Sequence, residues 1–279
     1  MEGIGLSKGG LLAGASYGYN RFSPVMNEVE GDTEHFGSVV THQTNLFGLV
    51  GISSRINLVA SLPIIRWSQS VEREDTHHRN EILAGIQDLK IGVQYTVSNL
   101  TFGPGDRIFL GLSASLPTAP SYTLNPFDAS ADSVNHHHFT LGAGTMQVTF
   151  TGQWWRRSEF PWVMGLTSLF SPRWLTSDIG FQPGHKAGFD LHAIGQSYRV
   201  WRGFPYLRLR FRWEGADYWE GKKARNSGGF FLDGSAGFEV ELFERLSGVV
   251  RLHTPLLVAA NESQITSSGL EISFRYIKP

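Results

Sequence analysis

Leu207-Arg208-Leu209-Arg210-Phe211-Arg212-Trp213 alternates strictly between apolar and cationic side chains. Residues two apart share a side only on an extended chain, so this stretch reads as a strand with two unlike faces. Phe238-Glu239-Val240-Glu241-Leu242, Leu89-Lys90-Ile91-Gly92-Val93-Gln94-Tyr95 and Leu270-Glu271-Ile272-Ser273-Phe274-Arg275-Tyr276 repeat the pattern. In each, one face is apolar and often aromatic. The other carries charge, amide, hydroxyl or glycine.

Working outward, the alternation defines about twelve segments, an even number as a closed bacterial barrel requires. They span 10–22, 39–52, 55–70, 86–98, 107–120, 138–155, 161–173, 186–201, 205–217, 230–243, 248–259 and 268–278. Their connections alternate in length. Short ones fall at Ser53-Ser54, 99–106, 156–160, 202–204 and 244–247, and longer polar ones near 23–38, 71–85, 121–137, 174–185, 218–229 and 260–267. Short periplasmic turns and longer outer loops are expected of an outer-membrane barrel, with both termini on the periplasmic side. The expectation is all-β: one closed antiparallel transmembrane barrel occupying 1–279 as a single domain, in the bacterial outer membrane.

Composition narrows the alternatives. The formal net charge is −1, which gives no basic stripe for nucleic acid. The chain has no cysteine, so neither a disulfide framework nor cysteine-ligated zinc is available. No apolar run is long enough for a helical membrane span. The start, Met1-Glu2-Gly3-Ile4-Gly5, lacks a basic segment followed by an apolar core. A barrel reading therefore implies a secretory signal removed before this numbering.

A soluble β-sandwich or lipocalin-like barrel would also alternate, with its apolar face inward. Two features favour the membrane. The polar faces carry Arg, Glu and Gln in rows. Aromatic residues also gather at segment ends, with Trp154, Trp155, Phe160 and Trp162 about one turn and Trp201, Phe204 and Tyr206 about another. That placement reads as an interfacial girdle.

Gly85-Ile86-Gln87-Asp88-Leu89-Lys90-Ile91-Gly92-Val93-Gln94-Tyr95, then Leu141-Gly142-Ala143-Gly144-Thr145 opening a strand, then Gly195-Gln196-Ser197-Tyr198-Arg199-Val200 form three motifs. They resemble those of the outer-membrane transporter family named for the MetA pathway of phenol degradation. They cover the middle third of the chain best. The ending Phe274-Arg275-Tyr276-Ile277-Lys278-Pro279 departs from the terminal aromatic residue common in outer-membrane barrels. The resemblance implies a small barrel with a transport role, and it names no substrate.

If the apolar faces meet lipid, Arg208, Arg210, Arg212, Asp233, Glu239, Glu241, Arg251, His253, Glu271 and Arg275 line the lumen. Outward placement of such charges would cost about 2–4 kcal/mol each near the midplane. Two readings stay open: a polar pore wall that selects solutes by charge, and a cross-strand ion-pair ladder that braces the barrel. Diffusion through such a pore needs no cofactor. The expected partners are the lipid bilayer and a small solute. A sealed barrel would instead dock a protein through loop aromatics Trp174, Phe181, Tyr218 and Trp219.

His35, His77, His78, His136, His137, His138 and His185 fall in outer loops, with Glu34, Asp75, Asp128 and Asp132 nearby. Neutral imidazoles together could bind a divalent transition metal. The loops are separate, however, and solvated histidine is the commoner case. Catalysis has weaker support. His42 with Ser61, or His192 with Ser197, has no surrounding motif, and neither Gly-x-Ser-x-Gly nor His-Glu-x-x-His occurs. The expectation is a non-enzymatic, porin-like channel.

Overall fold

Period-2 alternation closes here into a continuous antiparallel sheet. The computed structural model describes residues 4–22, 25–26, 35–71, 80–99, 104–120, 141–157, 162–178, 180–195, 203–224, 227–260 and 268–278. The barrel strands are β1 (Leu11–Phe22), β2 (His35–Gly51), β3 (Ile56–Val71), a two-part β4 (Glu81–Ile86 and Lys90–Asn99), β5 (Gly105–Ser115) and β6 (Gln147–Arg157). They continue as β7 (Trp162–Ser171), β8 (Lys186–Gly195), β9 (Gly203–Glu214), β10 (Gly229–Phe243), β11 (Leu246–Ala260) and β12 (Gly269–Lys278). Each strand pairs with its sequence neighbour, and β1 pairs with β12 from Leu11↔Lys278 to Asn20↔Gly269. Closure removes every free edge, so the ladder is satisfied within the barrel, as a bilayer demands.

The apolar faces point outward. On β9, Leu207, Leu209 and Trp213 are exposed, whereas the intervening Arg208 is 7% exposed. The same inversion holds on β4, where Ile91, Val93, Tyr95 and Val97 are exposed and Gln94 and Thr96 are buried. A soluble barrel would show the opposite. Short connections follow the even-numbered strands, from β2 to β3 through to β10 to β11, and the longer connections, after the odd-numbered strands, occupy the opposite rim.

Several segment bounds differ from the sequence reading. The fifth strand stops at Ser115, well short of 120, and the sixth starts at Gln147 and not at 138. Leu141-Gly142-Ala143-Gly144-Thr145 therefore precedes its strand as a coil and does not open it. The eighth strand ends at Gly195, and residues 196–200 lie outside the described residues.

The fourth strand is broken at Gln87–Leu89, and Pro63 accounts for the break. Both pieces pair with β3, at Ile64↔Ile86 above the break and Ser61↔Lys90 below it. Pro63 accepts a hydrogen bond from the Gln87 N–H through its carbonyl at 2.8 Å. In an antiparallel strand a residue's N–H and C=O face the same neighbour. The donor that proline lacks is therefore missing from the β4 side, and the ladder is interrupted there. A second proline, Pro255, sits at a bulge where Leu232↔Leu257 gives way to Asp233↔Pro255, leaving Leu256 as the extra residue.

Candidate functional site: the barrel lumen

The inward residues of β8 to β12 form stacked polar rows. In the row nearest the long loops, Asp190 lies opposite Arg210 and accepts from its Nε and Nη2 at 3.1 and 3.0 Å. Arg212 donates through Nη2 to Asp233 at 3.0 Å, and its guanidinium lies 5.0 Å from the Phe231 ring centre. Glu214 also approaches Arg212, at 3.8 Å.

The next row runs through Trp155, Gly165, His192, Arg208, Ser235 and His253, each opposite the next across neighbouring strands. Arg208 donates to Ser235 Oγ at 3.3 Å and approaches Asp190 at 3.9 Å. His192 is 1% exposed, its Nδ1 2.7 Å from the Tyr206 hydroxyl. The indole of Trp155 covers the imidazole with ring centres 4.9 Å apart. Gly165 permits that overlap, since a Cβ there would lie 2.5 Å from the indole ring. His253 Nε2 meets Asn20 Oδ1 at 2.5 Å across the β12 strand.

Below this row, Arg251 donates to the Tyr206 hydroxyl at 3.0 Å and pairs with Glu271. Arg275 pairs with Glu239 and donates from Nε to Ser247 Oγ at 2.8 Å. Glu241 lies opposite Ser247 near the short-turn rim and is exposed. Thus Arg208, Arg210, Arg212, Asp233, Glu239, Arg251, His253, Glu271 and Arg275 all stand on the inward face.

The pairing differs from that suggested by adjacent rows of Arg and Glu. Register sets Phe204 opposite Glu239 and Arg208 opposite Ser235, so Glu239 and Glu241 are out of reach of the β9 arginines. The acid that serves Arg208 and Arg210 is Asp190, on the other flanking strand. Sequence reasoning did not select Asp190, although Lys186, Gly188, Asp190 and His192 alternate with Ala187, Phe189, Leu191 and Ala193. Two supposed girdle residues, Trp155 and Tyr206, are likewise inward and buried. Trp154 does face outward, and its Nε1 donates to Asp106 at 3.1 Å. Phe160 and Trp201 lie outside the described residues.

At the short-turn end of the lumen, residues 4–10 lie against the inner wall. Gln94 Nε2 donates to the Ile4 carbonyl at 2.9 Å, and the Leu6 N–H donates to Asn57 Oδ1 at 3.3 Å. Gly5 packs against Phe109, where a Cβ would come within 2.6 Å of the ring. Leu6 forms a buried apolar cluster with Leu12 and Leu49, flanked by Ile4, Phe47, Val59 and Ile277. Residues 4–10 therefore cross the inner wall from β1 as far as β5. Burial of Leu6 is worth about 1.5–3 kcal/mol, and the hydrogen bonds at Ile4 and Leu6 add to it.

At the opposite end, Asp88 in the β4 break reaches two loop segments. Its Oδ1 accepts the Ala119 N–H at 3.0 Å, and its Oδ2 accepts the Ala143 N–H at 3.1 Å. The strand ends that flank the loop after β5 are thereby tied to the wall.

Among the described residues, no group of three or more His, Asp or Glu side chains is placed to hold a metal ion. His185 Nδ1 accepts the Arg173 N–H at 3.0 Å, and its ring stacks on Phe170. His77, His78, His136, His137 and His138, and the side chain of His35, lie outside the described residues. His42 faces outward whereas Ser61 faces inward and donates to Asn45 at 2.7 Å, so these two do not meet. Ser197 is outside the described residues. Of the loop aromatics, Trp174 is exposed. Trp219 is fully buried against Phe181 and offers no docking surface, and Tyr218 carries the Arg173 guanidinium 4.1 Å from its ring centre.

No protein-family model and no curated protein matches the chain. Solved structures do. The COG4313 outer membrane channel from Pseudomonas putida F1 superposes with a TM-score of 0.71 at 13% identity, covering 98% of this chain and 97% of that one. The transport unit of the autotransporter AIDA-I from Escherichia coli gives 0.50 at 9% identity, over 100% and 92% of the two chains. The translocator domain of autotransporter NalP from Neisseria meningitidis gives 0.49 at 10% identity, over 97% and 89%. With its apolar belt outward, its charges inward and the architecture it shares with the COG4313 channel, the chain has the fold of an outer-membrane β-barrel.

Proposed function

We propose that this barrel passes a small solute across the outer membrane through its polar lumen. The observation that carries the reading is the inward wall of β8 to β12, polar row upon row from Arg212 near the loops to Glu241 at the short-turn rim. A barrel serving only as an anchor has no need of such a wall, because apolar packing would fill it at lower desolvation cost. About twelve strands enclose a lumen for a small solute and not for a folded protein. The paired charges leave a wall of mixed sign, which favours small polar or zwitterionic solutes over strongly charged ones. Arg210 and Arg212 keep 37% and 35% of their side-chain surface exposed, so guanidinium groups remain available to a solute. No cofactor is required. That the COG4313 relative is a channel accords with this role.

On this reading residues 4–10, held against the inner wall at the short-turn end, narrow the path. Planar-bilayer recordings of the full chain and of a variant lacking residues 4–9 test it. The full chain should give small, interrupted currents, and the variant larger and steadier ones. Absence of current from both folded proteins would reject transport. It would favour a sealed barrel acting through its outer loops, with Trp174 as the exposed contact.

A further inference from the structure

The outward face of β1 to β3 breaks the apolar belt at one height with a cluster of cations. On β3 the outward series runs Ile56, Leu58, Ala60, Leu62, Ile64 and then Arg66, Ser68 and Ser70. Register places His42 of β2 opposite Arg66 and opposite Tyr19 of β1. Arg21, two residues beyond Tyr19 on the same face, completes a triangle with His42 and Arg66, and both arginines are exposed. The Tyr17 hydroxyl lies 2.6 Å from His42 Nδ1, and the Tyr19 ring meets the imidazole edge-on at 5.4 Å. With the phenol donating to Nδ1, the imidazole hydrogen sits on Nε2, directed away from Tyr17.

Height identifies what this cluster faces. Arg66 lies about ten residues along β3 from Ile56 at the short-turn rim, which at about 3.3 Å per residue and a tilt of about 40° is roughly 25 Å. That matches the height of the apolar belt, so the cluster sits where the outer leaflet's hydrocarbon ends and its headgroups begin. A cation is poorly tolerated at mid-belt and readily tolerated at that boundary. Among the described residues, neither Arg21 nor Arg66 takes part in an ion pair. Arg156, outward at the opposite rim, contrasts with them, since Asp106 lies 3.8 Å away.

We propose that Arg21, His42 and Arg66 form a binding site for the phosphate of a phosphorylated glycolipid headgroup of the outer leaflet. Guanidinium groups match phosphate oxygens in a fork, and the headgroup sugar would lie against Tyr17 and Tyr19. The acyl chains of such a lipid would run down the apolar face below, along Ile64, Leu62 and Leu46. Charge, height and the neighbouring apolar surface thus fit one molecule of the leaflet.

Native mass spectrometry of the delipidated full chain, titrated with diphosphoryl lipid A, tests this assignment. The protein should retain diphosphoryl lipid A at least tenfold more tightly than the enzymatically dephosphorylated lipid. Arg21→Gln with Arg66→Gln should remove that preference, whereas Arg156→Gln should keep it. Equal retention of the two lipids by the unaltered protein would overturn the site, and this comparison does not depend on the variant folding. So would an unchanged preference in the double variant, with folding checked by heat-modifiable gel migration. If inorganic phosphate alone at equal concentration binds as well as diphosphoryl lipid A, the site is one for free anions and the lipid assignment falls.

Discussion

Asp190 is shared by two arginines: it accepts from Nε and Nη2 of Arg210 across the β8–β9 pair, and Arg208 stands 3.9 Å from its Oδ2. Neutralising the acid leaves two guanidiniums in a narrow lumen, where bulk salt screens them poorly. Asp190→Asn should therefore shift the reversal potential in a salt gradient toward anions. Arg208→Gln with Arg210→Gln should leave Asp190 unmatched and shift it toward cations. Glu239→Gln with Glu241→Gln should favour anions as well, because Arg275 loses its partner. Shifts of opposite sign to these would mean that other groups control the ion path.

The same pair bears on stability. Removing one partner of a fully buried ion pair costs about 3–5 kcal/mol. Asp190 keeps 14% of its side-chain surface and Arg210 keeps 37%, so lumen water relieves part of the loss. Asp190→Asn should destabilise the barrel by about 1–3 kcal/mol in a urea refolding titration. A variant as stable as the parent would show that Ser235 and solvent already satisfy Arg208 and Arg210.

Faces can be ranked by a single pair of neighbours. Leu209 is outward and 41% exposed, and Arg210 is inward. Leu209→Arg should cost about 2–4 kcal/mol if its height is near the midplane. Replacing Arg210 by Gln should cost less, since it exposes Asp190 to a wet lumen and not to lipid. The reverse order in refolding titrations into lipid vesicles would place the barrel inside out.

Orientation follows from connection length, with the long connections outside the cell. Lys222, in the connection between β9 and β10, is exposed, and Ser54 lies in the short β2–β3 turn. With a cysteine at each position in turn, an impermeant maleimide added to intact cells should mark position 222 and spare 54. Equal labelling would contradict this topology.

What the sequence disclosed and what it hid follow from the range of each interaction. The Leu-Arg alternation of 207–213 reports its two faces by itself, because side-chain direction on a strand is local. Which acid meets Arg208 is a matter of register, and turn geometry and neighbouring strands set that jointly. Hence the alternation of 186–193 does not by itself mark Asp190 as the partner of Arg208. Residues 4–10 have no period to read, and their place in the lumen depends on Asn57, Gln94 and Phe109, far along the chain. The break in β4 had a local cause in Pro63, but only pairing with β3 brings that proline beside Gln87.

Asp88 shows the same limit and supports a last prediction. In sequence it is the acid of a Gly-Ile-Gln-Asp approach to a strand. In the fold it occupies the β4 break and binds two backbone amides that lie 31 and 55 residues away. The residue is 7% exposed, so both carboxylate oxygens depend on those donors. Asn at this position keeps one acceptor and turns the other into a donor facing an N–H. Either the Ala119 or the Ala143 amide then loses its acceptor, a loss of about 1–3 kcal/mol for a buried donor. The Gly142 backbone packs too tightly to compensate, since a Cβ there would already lie 2.8 Å from Asp88 Oδ1. Asp88→Asn should therefore raise hydrogen exchange at Ala119 and Ala143 by about tenfold or more, following the same energy. Exchange within β9 and β10 should stay unchanged, because their pairs do not involve this loop. Unaltered exchange at both alanines would mean that the loop is held by contacts other than Asp88. A general rise across all strands would mean that the break in β4 holds the barrel together and does not merely anchor a loop.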